Sequence, residues 1–250
     1  ETLRRQNERL EQFASIRSGV RIDRQFWIAN AMLVAVDTDQ VPLDHLLTID
    51  GVDRIHENFE ITLEATQETA SSNAASVTAT TASPIATKQP TSDISTTYGL
   101  KMVNAPAVWE AFDTRGDGAA IAIIDTGIDP DHPDLTVDGW AAFDSSGTLL
   151  SNDPADAYDD DGHGTHVAGT VAGSNSSGTA IGVAPEASLI GIKVLDVNEG
   201  GLAGGTIAQV IAGMEYAIDN TNADVLQMSL GTGSYTGSFI EPVQNARNAG

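Results

Sequence analysis

The feature that most constrains this chain is the alternation of apolar, strand-like runs with helical spacings over residues 98–250. Its first run, residues 119–125, is uncharged and ends on a carboxylate, as a buried parallel strand does. Consecutive βαβ units predict an α/β fold with a doubly wound parallel sheet, helices on both faces and ligands at the carboxyl ends of the strands. The later elements predicted are helices over about 163–172, 205–218 and 239–248, and strands over 188–194 and 224–230.

Residues 1–62 predict a separate, small α+β unit. Leu3, Leu10, Phe13 and Ile16 have helical spacing, and Gly19 closes the segment. Two apolar, strand-like runs follow, then a short helical segment around residues 43–49 and a final strand over residues 55–61. The predicted order is α-β-β-α-β.

Residues 63–97 differ from both neighbours in composition. Ser, Thr and Ala dominate this stretch, and it holds too few apolar side chains to offset the entropy of ordering. We interpret it as an exposed linker, the kind of segment that proteases cut.

Charge and composition exclude several functional classes. The chain has 35 acidic and 12 basic residues, a net charge of −23, which argues against nucleic acid or an anionic membrane as a partner. With no cysteine, it has no thiol nucleophile, thiolate metal site or disulfide. Its longest apolar stretch, Phe26 to Val36, is too short to span a bilayer. Lacking an initiating Met and an export signal, and stopping at Gly250 where a strand is due, the sequence is interpreted as a fragment.

Two short segments carry residues suited to catalysis. Asp125 ends the first strand and is followed by Thr126 and Gly127; read alone, it could equally be a turn-forming aspartate. The segment Asp-Gly-His-Gly-Thr-His-Val-Ala-Gly-Thr places His163 at a helix N-terminus. His166, three residues later, could share a metal with it, but no further His or Cys lies nearby, so we expect a packed structural histidine there.

Asp-Thr-Gly, the histidine segment and then Ser229-Leu230-Gly231, in this chain order, resemble the subtilisin-like serine proteases, or subtilases. The similarity extends to Ala-Pro-Ala-Val-Trp at 105–109 and Gly-Val-Ala-Pro at 182–185, so it covers residues 98–250. It implies that His163 is the general base of an Asp-His-Ser triad and that Asp125 orients its imidazole. Ser229, Leu230 and Gly231 would form an edge strand that pairs with substrate backbone, although an ordinary strand end fits the same residues.

The resemblance also implies a Gly-Thr-Ser-Met-Ala-type segment around the nucleophile, which has no counterpart in these 250 residues. We therefore expect the chain itself to be inert and the intact protein to be a secreted, monomeric serine endopeptidase that hydrolyses proteins and peptides without a cofactor. Residues 1–62 resemble the subtilase propeptide, an intramolecular inhibitor, and the maturation cut would fall in the linker.

Structural calcium is a further implication of the resemblance. The loop at residues 174–180, where relatives commonly bind calcium, has no carboxylate, although calcium prefers six to eight oxygen ligands that usually include carboxylates. A second candidate is an acidic run for which we favour a solvated loop: Asp153, Asp156, Asp159, Asp160 and Asp161.

The acidic excess is concentrated in residues 98–250, which hold 21 acidic and four basic side chains. Such self-repulsion requires screening by salt and is typical of halophilic proteins, so we predict a high-salt habitat.

Two other functions remain open. A non-catalytic relative could keep the scaffold as a binding or inhibitory module, and a downstream Gly-Thr-Ser segment would favour the enzyme over it. An HxxH metal hydrolase, the last alternative, predicts stoichiometric zinc.

Overall fold

The computed structural model of the chain describes residues 8–63, 95–231 and 237–250. Residues 64–94 of the proposed linker and the predicted helical start at Leu3 lie outside them. Ser95 and Thr96, which we assigned to the linker, form a short strand instead. The helices are α1 (Glu8–Ile16), α2 (Leu43–Leu46), α3 (Tyr98–Met102), α4 (Ala105–Phe112), α5 (His163–Ala172), α6 (Ile207–Asn220) and α7 (Ile240–Ala249). The strands are β1 (Val20–Phe26), β2 (Ala31–Val36), β3 (Glu60–Thr62), β4 (Ser95–Thr96), β5 (Ala120–Asp125), β6 (Val137–Phe143), β7 (Leu149–Ser151), β8 (Thr179–Ala180), β9 (Ser188–Lys193), β10 (Asp196–Val197), β11 (Ala203–Thr206) and β12 (Val225–Gln227).

The largest sheet has five strands in the spatial order β12-β5-β9-β6-β7. Its first four strands run parallel, and β7 pairs antiparallel with β6 at one edge, so the sheet is mixed rather than purely parallel. Sequence patterning missed β6 because Asp138 and Gly139 interrupt its apolar run, and it missed β7 because that strand is only three residues long. Every residue of β5 is buried, since strands flank both of its edges and helices cover both of its faces.

The two faces of β5 belong to different cores. Ile121 and Ile123 pack on the side of α5, and Ala122 and Ile124 pack on the side of α6. This division follows from the two-residue period of a strand. The end of β5, which carries Asp125, therefore lies between α5 and α6.

The N-terminal unit, residues 8–63, has the predicted element order. β1 and β2 form an antiparallel hairpin, and α1 and α2 close a small separate core against it. The last strand differs from the prediction in position, since it covers Glu60–Thr62 rather than residues 55–61. It pairs antiparallel with β11. Likewise, β4 pairs in parallel with β8.

The N-terminal unit is also packed against the main core. Phe26, Ile28 and Ile61 are buried in the same apolar cluster as α6. Asn58 accepts a hydrogen bond from the Ala208 backbone N–H at the start of that helix. The described part of the chain has no helix that is both long and apolar enough to cross a membrane.

Candidate active site

Asp125 is the last residue of β5 and is fully buried. Its Oδ1 accepts a hydrogen bond from the Thr126 backbone N–H at 2.8 Å and lies 2.7 Å from Nδ1 of His163. The structure thus brings together two side chains that are 38 residues apart in sequence.

His163 is the first residue of α5 and follows Gly162, whose φ of 99° lies in the left-handed region. The backbone N–H of His163 donates to Oδ1 of Asp161, which fixes the start of the helix. The imidazole is 32% exposed, so one edge faces the buried carboxylate and the other is open. Among the described residues, none hydrogen-bonds to Nε2.

Two glycines let the strand end and the helix start approach each other. The Gly164 backbone N–H donates to Oγ1 of Thr126 at 2.8 Å. A Cβ on Gly164 would overlap the Gly127 carbonyl oxygen, and a Cβ on Gly127, whose φ is 119°, would overlap the Tyr158 carbonyl oxygen. The Asp-Thr-Gly and His-Gly-Thr segments therefore contact each other closely through their backbones.

Burial raises the pKa of Asp125, and the hydrogen bonds from His163 and Thr126 counteract only part of that effect. Its Oδ2 has no hydrogen-bond partner among the described residues, so hydrogen bonds offset only part of the cost of burying this negative charge. A positive charge on the neighbouring imidazole would offset the rest. The pair is therefore suited to stabilise an imidazolium as it forms, which is what a histidine base needs when it takes a proton.

Ser229, Leu230 and Gly231 follow β12 but are not part of a strand. Pairing with β5 ends at Gln227, whose side-chain amide donates to Oγ of Ser229. Leu230 packs against the main core, while Ser229 and Gly231 are exposed. Within the part of the chain that the structure describes, the backbone of these three residues makes no hydrogen bond. That is compatible with pairing to an added strand, and the substrate-binding role of the three residues stays a prediction.

A second candidate substrate edge, β11, was missed by the sequence analysis. Ile61 pairs with Gly205 in an antiparallel register, and the Leu63 backbone N–H donates to the Ala203 carbonyl oxygen at 2.9 Å. An extended segment of this chain thus already lies along β11 as an added strand. The glycines at 204 and 205 were a signal of close backbone approach that could have indicated it.

The acidic run supplies internal hydrogen-bond acceptors around the helix start. The Asp159 carboxylate accepts from the backbone N–H groups of Asp161, Gly162 and Thr165 and from the Thr165 hydroxyl. Burial alone would raise the pKa of Asp159, but these hydrogen bonds lower it. Asp160 pairs with the buried ammonium of Lys193. The sequence analysis assigned no role to Lys193 or Thr165.

The calcium candidates are likewise engaged with the protein. Ser174 and Ser177, in the loop at residues 174–180, donate hydrogen bonds to Oδ1 of Asp134. Over residues 8–63, 95–231 and 237–250, no three His, Asp or Glu side chains are grouped so that they could hold a metal ion. Calcium binding stays a prediction.

His166 differs from our expectation of a packed structural histidine. It is exposed on α5, and it lines a largely apolar cleft of about 650 Å³ together with His132, Leu100 and Ile181. The expectation failed because the face of α5 that carries His166 is turned to solvent, whereas His163 turns to Asp125.

Comparisons with known proteins find relatives that are named as proteases. The thermostable alkaline protease of Halalkalibacterium halodurans is 44% identical over 135 residues, which are 54% of this chain and 34% of the relative. Subtilisin E of Bacillus subtilis is 46% identical over 139 residues, 55% of this chain and 33% of the relative. The intracellular serine protease of Paenibacillus polymyxa is 42% identical over 150 residues, 59% and 43% of the two chains. The chain thus covers between about a third and about two fifths of the length of these relatives.

The family comparison covers the candidate site. Residues 116–250 match the subtilase family, Peptidase S8, and this range contains both Asp125 and His163. The chain belongs to the subtilase family.

Proposed function

We propose that this chain supplies the aspartate and histidine of a serine endopeptidase that hydrolyses peptide bonds in proteins. The observation that carries the proposal is the 2.7 Å contact between the buried Asp125 carboxylate and Nδ1 of His163, whose imidazole is otherwise accessible. In that geometry Asp125 selects the tautomer with a proton on Nδ1, which leaves Nε2 free to accept a proton from a nucleophile.

The nucleophile in this proposal is a serine in a Gly-Thr-Ser-type segment, and these 250 residues contain no such segment. Ser174, Ser176 and Ser177 are engaged in the loop that Asp134 holds. Ser229 accepts a hydrogen bond from Gln227. The 250-residue chain on its own is therefore proposed to be inert.

The test compares the 250-residue chain with the full-length product of its gene. We expect casein hydrolysis and labelling by a serine-directed fluorophosphonate in the full-length product, and neither in the 250-residue chain. His163→Ala should abolish hydrolysis; in subtilisin the equivalent loss is on the order of 10⁶-fold in turnover. Full-length protein that binds peptides but neither hydrolyses them nor reacts with the label would support the non-catalytic alternative.

The N-terminal unit is proposed to be an intramolecular inhibitor of the same site. β3 lies antiparallel along β11, and the buried Ile61 anchors it there. The hairpin end is held by side chains of the main body: Glu215 accepts from the Ile28 backbone N–H, and the Asn245 amide donates to the Ile28 carbonyl oxygen. These contacts would occupy a substrate-binding edge until the linker is cut.

Ile61→Ala is the variant that tests this inhibition, with Thr62→Ala, an exposed neighbour on the same strand, as its control. Removing the buried side chain should weaken docking by about 2–5 kcal/mol, so activity should appear sooner during maturation of full-length protein. Mass spectrometry should place the cut within residues 63–97. Equal lag times for Ile61→Ala, Thr62→Ala and the wild type would contradict the inhibitory role.

Export, a monomeric state and structural calcium complete the proposal. Fractionating the source culture locates the protein, gel filtration gives its size, and unfolding with and without a calcium chelator tests the ion. Recovery in the cytosolic fraction, a dimeric elution volume, or a midpoint unchanged by the chelator would contradict the respective part.

A further inference from the structure

Lys193 is a buried lysine directly beside the strand that carries Asp125. It is the last residue of β9, lies in register with Asp125 on β5, and is 1% exposed. Burying an ammonium group away from water is costly unless it is paired and hydrogen-bonded. The position of Lys193 therefore requires a specific set of partners.

Three oxygens surround the Lys193 ammonium within hydrogen-bond distance. Nζ donates to the Thr126 carbonyl at 2.7 Å, to the Leu195 carbonyl at 2.7 Å and to Oδ1 of Asp160 at 2.5 Å. Asp196 is the second carboxylate near it, at 3.4 Å, and the Tyr158 ring centroid lies 4.9 Å away. These three hydrogen bonds use all the protons that an ammonium can donate.

The partners of Lys193 belong to the two segments that carry the catalytic pair. Thr126 directly follows Asp125, and Asp160 precedes His163 by three residues. The Asp160 carboxylate also accepts from the Val197 backbone N–H through its other oxygen, so it cannot turn away without losing a second bond. One buried cation thus fixes the strand end and the approach to the helix relative to each other.

We propose that Lys193, through its contacts with Thr126 and Asp160, is a positioning residue that holds Asp125 and His163 at hydrogen-bond distance. This role rests on the proposed function of the pair. None of the three hydrogen bonds of the Lys193 ammonium goes to Asp125 or His163. Lys193 therefore acts on these two side chains through the backbone of the segments that carry them. Loss of the cation or of its carboxylate partner would release the two segments and lengthen the contact between Asp125 and His163.

The test observes the pair directly by proton NMR of the 250-residue chain with ¹⁵N-labelled histidine. An Nδ1 proton shared with a buried carboxylate gives a far-downfield resonance, which reports the geometry whether or not the chain cleaves peptides. We expect this resonance in the wild type and its loss in Lys193→Met and in Asp160→Asn. Asp156→Asn is the matched control, because it removes one charge from the same acidic run but contacts Ser151 rather than Lys193.

Circular dichroism verifies that each variant is folded. If Lys193→Met does not fold, Asp160→Asn decides the outcome, because Asn has nearly the same shape as Asp and the side chain at position 160 is one-third exposed. A wild-type resonance that persists in Asp160→Asn overturns the positioning role, and so does an equal loss in Asp156→Asn, which would indicate a charge effect. Either result leaves the proposed protease function intact, since that function is tested separately by hydrolysis in the full-length protein.

Discussion

Two buried carboxylates organise this molecule in different ways. Asp125 is fully buried at the end of β5, and Glu215 is 7% exposed on α6. Burial raises the pKa of both groups, and in both cases hydrogen bonds offset part of that effect. They differ in what they hold: Asp125 orients a side chain within the main body, whereas Glu215 accepts a backbone N–H from the N-terminal unit.

The surroundings of the two groups explain this difference. Around Asp125, Gly127 and Gly164 bring two backbones into direct contact, so the joint cannot open without disrupting the core. Around Glu215, the hairpin is held by separate polar contacts, including the hydrogen bond from Arg24 to the Gly147 carbonyl, and by Phe26 and Ile28, which are buried in the main core. The first arrangement suits the permanent catalytic geometry that we propose, and the second suits a unit that maturation removes, as the proposed inhibitor would be.

The largest effect is expected for Asp125→Asn in the full-length protein. Asn keeps the size of the side chain but stabilises the wrong imidazole tautomer, and the corresponding changes in known serine proteases cost on the order of 10⁴-fold in turnover. Casein or peptide anilide hydrolysis measures it. Asp129→Asn, a change to an exposed carboxylate nearby, should leave turnover unchanged; equal losses in both variants would contradict the role of Asp125.

A smaller effect is expected for Glu215→Ala on the docking of the N-terminal unit. Ala removes the acceptor and leaves the buried Ile28 N–H without its partner. Such a loss costs about 1–3 kcal/mol, which corresponds to roughly 5- to 150-fold in an opening equilibrium. Hydrogen exchange of the Ile28 amide should accelerate by that factor while amides of β5 keep their rates. Exposed Glu199→Ala is the control, and uniform acceleration throughout the chain would show that Glu215 supports the whole fold rather than the docking.

The raised pKa of Glu215 also gives a pH dependence with a definite sign. Between its ordinary value of 4.5 and the raised one, the folded state binds a proton that the unfolded state has released. The contribution of Glu215 to stability is thus fully present below the ordinary pKa and is lost as pH rises through the raised pKa. Its slope is at most about 1.4 kcal/mol per pH unit.

The Glu215→Gln variant has no titratable group at this position, so urea unfolding over that pH range should show the wild type losing stability relative to the variant as pH rises. Because both proteins retain Asp125, its contribution of the same sign cancels in the difference. A wild type that instead gains stability relative to the variant would show that hydrogen bonds, not burial, dominate the ionisation of Glu215.

The smallest effect is expected in the salt dependence of the thermal midpoint, which distinguishes buried carboxylates from exposed ones. The net charge of −23 predicts that NaCl raises the thermal midpoint by screening repulsion at the surface. Buried pairs are screened much less, so Asp125→Asn should show the same salt response as the wild type. Midpoints that stay constant from low to molar NaCl would argue against a halophilic origin.

Sequence patterns located the elements that have a simple period or a strong local signal. The uncharged run up to Asp125 predicted a buried strand, and the glycine-flanked His163 predicted a helix start. They failed where charge or tertiary pairing intervenes: β6 contains Asp138 and Gly139, and β12 ends at Gln227 rather than at residue 230. The sequence pattern also could not predict that His166 is exposed, because two histidines on one helix can face different surroundings.

By itself, the sequence determined which residue types stand at the strand end and the helix start, since hydrophobic period, glycines and the order of motifs are local properties. Only the tertiary structure decided which distant groups meet. The pairing of β3 with β11, the acceptance of the Ile28 N–H by Glu215 and the placement of Lys193 between Thr126 and Asp160 all join residues from different segments. Such contacts depend on how packed layers align, and burial then gives those few polar groups their strength, because a charge removed from water must find its partner within the protein.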